Sequence, residues 1–159
     1  FGQLNSSMVL YLASVSSPDL AVGAGVCLSD WWASISAVPA GSQPFANPST
    51  TEASQTVAAV DLRKVNGTGW LPVDFGLISS GSPLSALPVD PRNNDPAPLT
   101  GAGLFYAYQC DAASLSFELN GRMESARFDN AGGGDDVEST DGGSNADIYE
   151  VGNDVGLDL

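Results

Sequence analysis

The sequence predicts an α+β fold, a short N-terminal helix packed on a small antiparallel β-sheet with long loops, and three observations carry that reading. The first is a single helical stripe near the start: Leu4, Met8, Tyr11 or Leu12, and Val15 recur at spacings of three and four. The second is a pair of runs in the last third, residues 104–110 and 115–120, in which apolar and polar side chains alternate as in half-buried strands. The third is composition. With 18 Gly, 10 Pro and an apolar fraction of 43%, the chain has enough apolar residues to fold, but its elements must be short and joined by long loops.

Taken in order, residues 3–15 form the helix, and Pro18 ends it. A helix of that length is marginal alone in water, so it must pack on a sheet. Residues 39–56 are rich in Ser, Thr, Pro, Ala and Asn with almost no charge and read as a surface loop. Val57, Val60, Leu62 and Val65 mark a short strand, closed by the turn pair Asn66-Gly67. The prolines from Pro72 to Pro98 then exclude a central strand, leaving an extended connector anchored by Trp70, Phe75 and Leu87.

Residues 111–114 are a hairpin turn between the two best strands, 129–147 form a Gly-rich acidic loop, and 148–159 dock back as an edge strand. The chain reads as one domain, 1–159. Its parts are the helix at 1–18, a loop-rich αβ region at 19–100, and a hairpin, acidic loop and tail at 101–159.

Five basic residues against nineteen acidic ones give a net charge of −14, which repels nucleic-acid phosphates and anionic membrane surfaces and favours a divalent cation as small partner. There is no histidine, so Ser-His-Asp and Cys-His catalysis are excluded. No phosphate-binding glycine motif follows a strand, and most acids lie in a loop rather than on rigid elements. Enzymatic activity is not expected. No stretch approaches the roughly 18 to 20 apolar residues of a membrane span, and no basic segment precedes an apolar one near the start.

Cys27 and Cys110, without histidine or a CxxC spacing, make a poor zinc site and read as a long-range disulfide, with two buried free thiols as the alternative. A bridge places the chain in an oxidising compartment. Trp31 and Trp32 are adjacent, so a strand would point them to opposite faces. An exposed one would serve a partner or a sugar, and otherwise both cover loops. Asn66-Gly67-Thr68 and Asn5-Ser6-Ser7 match the N-glycosylation pattern, with Asn66 in a predicted turn and Asn5 in the helix.

Six segments form an ordered set: Gly67-Thr68-Gly69-Trp70-Leu71-Pro72-Val73-Asp74, Ile78-Ser79-Ser80-Gly81-Ser82-Pro83-Leu84, Leu87-Pro88-Val89-Asp90-Pro91, Phe105-Tyr106-Ala107-Tyr108, Phe117-Glu118-Leu119-Asn120 with Glu124-Ser125, and Tyr149-Glu150-Val151-Gly152-Asn153-Asp154. Over residues 66–159 this set resembles the C-terminal region of bacterial type IV pilin-like proteins and the related major pseudopilins of type II secretion. Leu4 to Val15 likewise looks like the last turns of the long pilin helix. The resemblance implies a structural subunit of an extracellular, cell-surface filament, among further copies of itself. A type II secretion pseudopilin, or an extracellular calcium- or carbohydrate-binding module, is the alternative.

Pilins of this kind begin with Phe, carry Glu at the fifth position and continue as an apolar helix. Here Phe1 is followed by Asn5 at that place, with about four helical turns. The expectation is a split pilin, in which this chain docks on a separate short apolar helix chain through Phe1, Leu4 and Met8, with a shortened chain as the competing account. The resemblance also implies bound Ca2+ in the acidic loop, with Asp136, Asp141 and Asp147 as ligands and a solvated loop as the alternative.

Overall fold

The computed structural model describes residues 1–23, 25–36, 38, 45, 53–93, 103–129 and 134–157. Helix α1 spans Gly2–Ser14, and its buried residues Leu4, Ser7, Met8 and Tyr11 carry the predicted stripe with Ser7 added, while Val15 falls at the cap and is only partly buried. Val15 leaves in an extended conformation, three residues before Pro18. Tyr11 then fastens the exit, because its hydroxyl donates to the Asp19 carbonyl at 3.1 Å and accepts from the Asp19 amide at 2.9 Å.

Five strands follow: β1 Asp30–Ala33, β2 Ala53–Gln55, β3 Tyr106–Asp111, β4 Ser116–Gly121 and β5 Tyr149–Gly152. They form one sheet in the order β2-β1-β3-β4-β5. The α+β architecture is as expected, with the sheet mixed rather than wholly antiparallel, because β2 runs parallel to β1. The hairpin turn is where the alternation places it. There the Asp111 carboxylate accepts from the Ala113 amide at 2.8 Å and from the Ser114 hydroxyl at 2.7 Å. Strand β5 holds the sheet edge predicted for the tail.

Two local expectations are corrected. Val57 to Val65 is not a strand: Asp61 and Leu62 both donate to the Ala58 carbonyl and Lys64 to that of Asp61, so the backbone closes turns on itself. Only Leu62 of the four apolar residues is buried. Strand β2, in contrast, lies inside the stretch read as a loop; the rest of 39–52, Phe45 apart, falls outside the described residues.

Both sheet faces are covered. On one, α1 packs with Trp70, Leu71, Val73, Phe75 and Leu87 against Trp32, Tyr108, Phe117 and Leu119. The Pro-rich connector forms no strand over its described residues but includes a single 3₁₀ turn at Phe75–Leu77, and it drops its apolar anchors into this core; Pro96 and Pro98 lie outside the described residues. Trp70 secures it by donating from its indole nitrogen to the Pro88 carbonyl at 2.8 Å. On the other face a smaller cluster joins Trp31, Ala33, Phe105, Ala107 and Ile148. Cys27 and Cys110 form the disulfide across 83 residues, with their Cα atoms 4.8 Å apart, tying the segment after α1 to the end of β3.

Candidate functional site

Three regions carry chemistry: the outer face of α1, the acidic residues on the second sheet face, and the aromatic cluster around Phe1. Helix α1 contains no Asp, Glu, Lys or Arg. Its inward stripe places Leu4 and Met8 in this chain's own core, at 1% and 0% exposure, so these two partner candidates are already occupied. The stripe repeats every three to four residues, and the core takes Leu4, Met8 and Tyr11, the last against Phe75 of the connector. Left facing solvent are Gly2, Gln3, Ser6, Val9, Leu10, Ala13 and Ser14, with Val9 51% and Leu10 40% exposed. Phe1 is half-buried, its ring edge-on to Tyr106 at 4.6 Å and to Tyr149 at 5.7 Å between centroids.

The second sheet face holds four almost wholly buried polar side chains. Gln109 lies opposite Glu118, and Asn120 opposite Glu150. In β4 the odd positions Phe117 and Leu119 point to the helix, so period-two alternation sends Glu118 and Asn120 to the other side. Glu118 accepts from the Asn120 side-chain amide at 2.7 Å and, with its second oxygen, from the Leu157 backbone at 2.9 Å. Glu150 accepts from the Asn145 amide at 2.8 Å, while its own backbone N–H donates to Asp141 at 2.6 Å. The two carboxyl groups hold the tail and the acidic loop against the sheet.

Burial, with the adjacent Glu118 and Asp141 charges, pushes the Glu150 carboxyl up to about 7, against a lowering contribution from the Asn145 amide. The amide oxygens of Gln109 and Asn120 on this face are buried without a donor.

The three calcium candidates are not brought together. Asp136 turns back on its own loop, accepting from the Ser139 amide at 3.0 Å and from the Ser139 hydroxyl, and these bonds hold its carboxyl below the usual range. Asp141 accepts from the Gly143 amide at 2.9 Å and from Glu150, and Asp147 donates its backbone N–H to Asn145. Among the described residues no group of three His, Cys, Asp or Glu is placed to hold a metal ion.

Trp31 and Trp32 do point to opposite faces, but at 0% and 3% exposure neither offers a surface for a sugar. The exposed-aromatic reading is corrected because both faces of β1 are covered. Asn66 is exposed in its turn, its carbonyl oxygen taken by Thr68 at 2.7 Å.

Sequence reasoning missed Glu118 and Glu150 as a pair. Each sat in a predicted strand on the side read as solvent-facing, and only the covering of the second face makes them notable. It also missed the Phe1, Tyr106 and Tyr149 cluster, which joins residues more than a hundred positions apart. No helix among the described residues is long and apolar enough to cross a membrane. No protein family, curated protein or solved structure matches this chain.

Proposed function

We propose that this chain is a non-enzymatic structural subunit of an extracellular type IV pilus-like filament, docking on a separate apolar helix through the outer face of α1. One observation carries the reading: a protein with a net charge of −14 keeps one whole helix free of Asp, Glu, Lys and Arg and leaves Val9 and Leu10 exposed on it. A solvated helix face would ordinarily be charged. An apolar helix laid along Gly2, Ser6, Val9 and Ala13 meets small side chains that permit close approach and no charge to desolvate. Burying Val9 and Leu10 would add a fraction of the roughly 1.5–3 kcal/mol that each such side chain gives on full burial.

Two further features support the reading. The Cys27–Cys110 disulfide is compatible with an oxidising, extracellular setting. The pilin-like segments at 66–159 supply the connector, β3, β4 and β5, the frame on which α1 rests. The test is to isolate surface filaments from the source cells and sequence every band on a denaturing gel. This chain together with a small hydrophobic peptide in equal amounts is the expected result. One longer polypeptide containing both would overturn the separate-helix partner, and filaments lacking this chain would overturn the subunit role itself.

A further inference from the structure

We propose that the cleft beside Phe1 binds a neutral saccharide ring. The cleft has a volume of about 280 Å³ and is lined by Phe1, Tyr106 and Tyr149 together with Arg122, Asp90 and Glu124. That is just below the roughly 300–1,000 Å³ of sites for drug-sized ligands, a size suited to one ring rather than an extended peptide. Gly121 shapes its floor: a Cβ there would lie 2.7 Å from the Phe1 ring and would push that ring from its place between the two tyrosines.

The polar groups around the aromatics are only partly engaged by the described residues. Of the five cations of this chain, Arg63 bonds the Leu87 carbonyl, Lys64 pairs with Asp61, Arg92 with Glu124 and Arg127 with Asp135. Arg122 alone makes no hydrogen bond or ion pair among the described residues, and its Nε is buried without an acceptor. That nitrogen has lost water without gaining a partner, and the other N–H groups of the half-buried guanidinium are the donors a ligand oxygen would meet. Neither the Tyr106 nor the Tyr149 hydroxyl bonds another described residue.

Acceptors face these donors. Asp90 spends Oδ1 on the Arg92 and Asn93 amides, at 2.8 and 3.1 Å, and Oδ2 has no donor among the described residues. Glu124 keeps only a 3.5 Å contact with Arg92. Burial first, then the charges of Asp90 and Glu124, push the Tyr106 hydroxyl above its ordinary range, which places both carboxylates within electrostatic reach of the ring. With Arg92 paired to Glu124 and Arg122 facing Asp90, the cleft carries balanced charge and nothing in it selects an anionic ligand. Hydroxyl groups, each both donor and acceptor, satisfy both sets of side chains, and the C–H faces of a sugar ring suit the apolar aromatic surface.

This inference does not depend on filament assembly. The test uses the whole chain on an array of neutral and acidic glycans, followed by saturation-transfer NMR and calorimetry with each neutral hit. Binding of at least one neutral glycan is expected, with Arg122→Ala and Tyr149→Ala each weakening it at least tenfold at unchanged Tm. Should Tyr149→Ala unfold the chain, Glu124→Gln at its exposed site supplies the second variant. No neutral glycan bound across the array, binding confined to acidic glycans, or affinity untouched by the variants would overturn the proposal.

Discussion

The Glu150 carboxyl group lies beside that of Glu118 on the second face of the sheet, with the two side chains 2% and 0% exposed. Two carboxylates so placed cannot both ionise without cost, and burial sets the larger part of it. Glu150 is therefore protonated up to about pH 7 in the folded chain.

The consequence is a stability that falls as pH rises. An unfolded glutamate has a pKa near 4.3, so between that value and about 7 the native state binds more protons than the unfolded one. The contribution is fully present below the unfolded pKa and is lost as pH rises through the folded value. With no histidine in the chain, few other groups titrate in this window. Urea midpoints should drop from pH 5 to pH 8 in the native chain, and Glu150→Gln should flatten that slope. An equal slope in the variant would refute the assignment.

The disulfide should dominate the global stability. Closing a loop of 83 residues removes roughly 4.5 kcal/mol of unfolded-state entropy on a chain-entropy estimate. Replacing both Cys27 and Cys110 with Ser should lower the thermal midpoint by roughly 10 °C or more at the slope of a domain this size. Intact mass after alkylation without reductant should show no modified thiol, and two alkylated cysteines would contradict the bridge.

How much of this was legible in the sequence depends on whether the determinant was local. The helix, the β3–β4 hairpin and the tail strand rest on periodicity and turn chemistry within a dozen residues, and all three formed. Strand β1 is only Asp30-Trp31-Trp32-Ala33, buried throughout, so it has no alternation to detect. Strand β2 owes its three residues to pairing with β1, since Ala53-Ser54-Gln55 has no strand propensity to speak of. Leu4 and Met8 were assigned to a partner because the sequence shows an apolar stripe without showing which surface takes it. Their burial leaves Val9 and Leu10 as the exposed large apolar residues of α1.

Gly69 offers a sharp test of packing at the closed turn of residues 62–70. A Cβ there would lie 2.1 Å from the Lys64 carbonyl oxygen and 2.5 Å from Leu87 Cδ1, so the backbone itself would have to move. Gly69→Ala should cost about 2–3 kcal/mol by overpacking. Gly81, at φ +89 with open space around its Cβ position, should lose only the roughly 1–2 kcal/mol of left-handed strain on mutation to Ala. Paired urea titrations measure both, and a Gly69→Ala no worse than Gly81→Ala would argue against the tight turn.

The outer face of α1 can be separated from the fold by charge. Val9 and Leu10 are exposed, so replacing both with Asp removes little native packing, and the cost is confined to helix propensity and added negative charge on a chain already at −14. The double variant should therefore keep its disulfide and melt within a few degrees of the native chain. Against an apolar helix the same change is severe, because each carboxylate would have to be desolvated with no basic residue on α1 to meet it. Expressed in place of the native gene, the variant should be secreted and folded but absent from filaments, while Val60→Asp, at an 86% exposed position remote in sequence from the helix, should assemble normally. Immunogold labelling of cells, with a melting curve of each purified variant, gives both readouts. Filaments decorated equally by native and doubly substituted chains would show that assembly uses another surface.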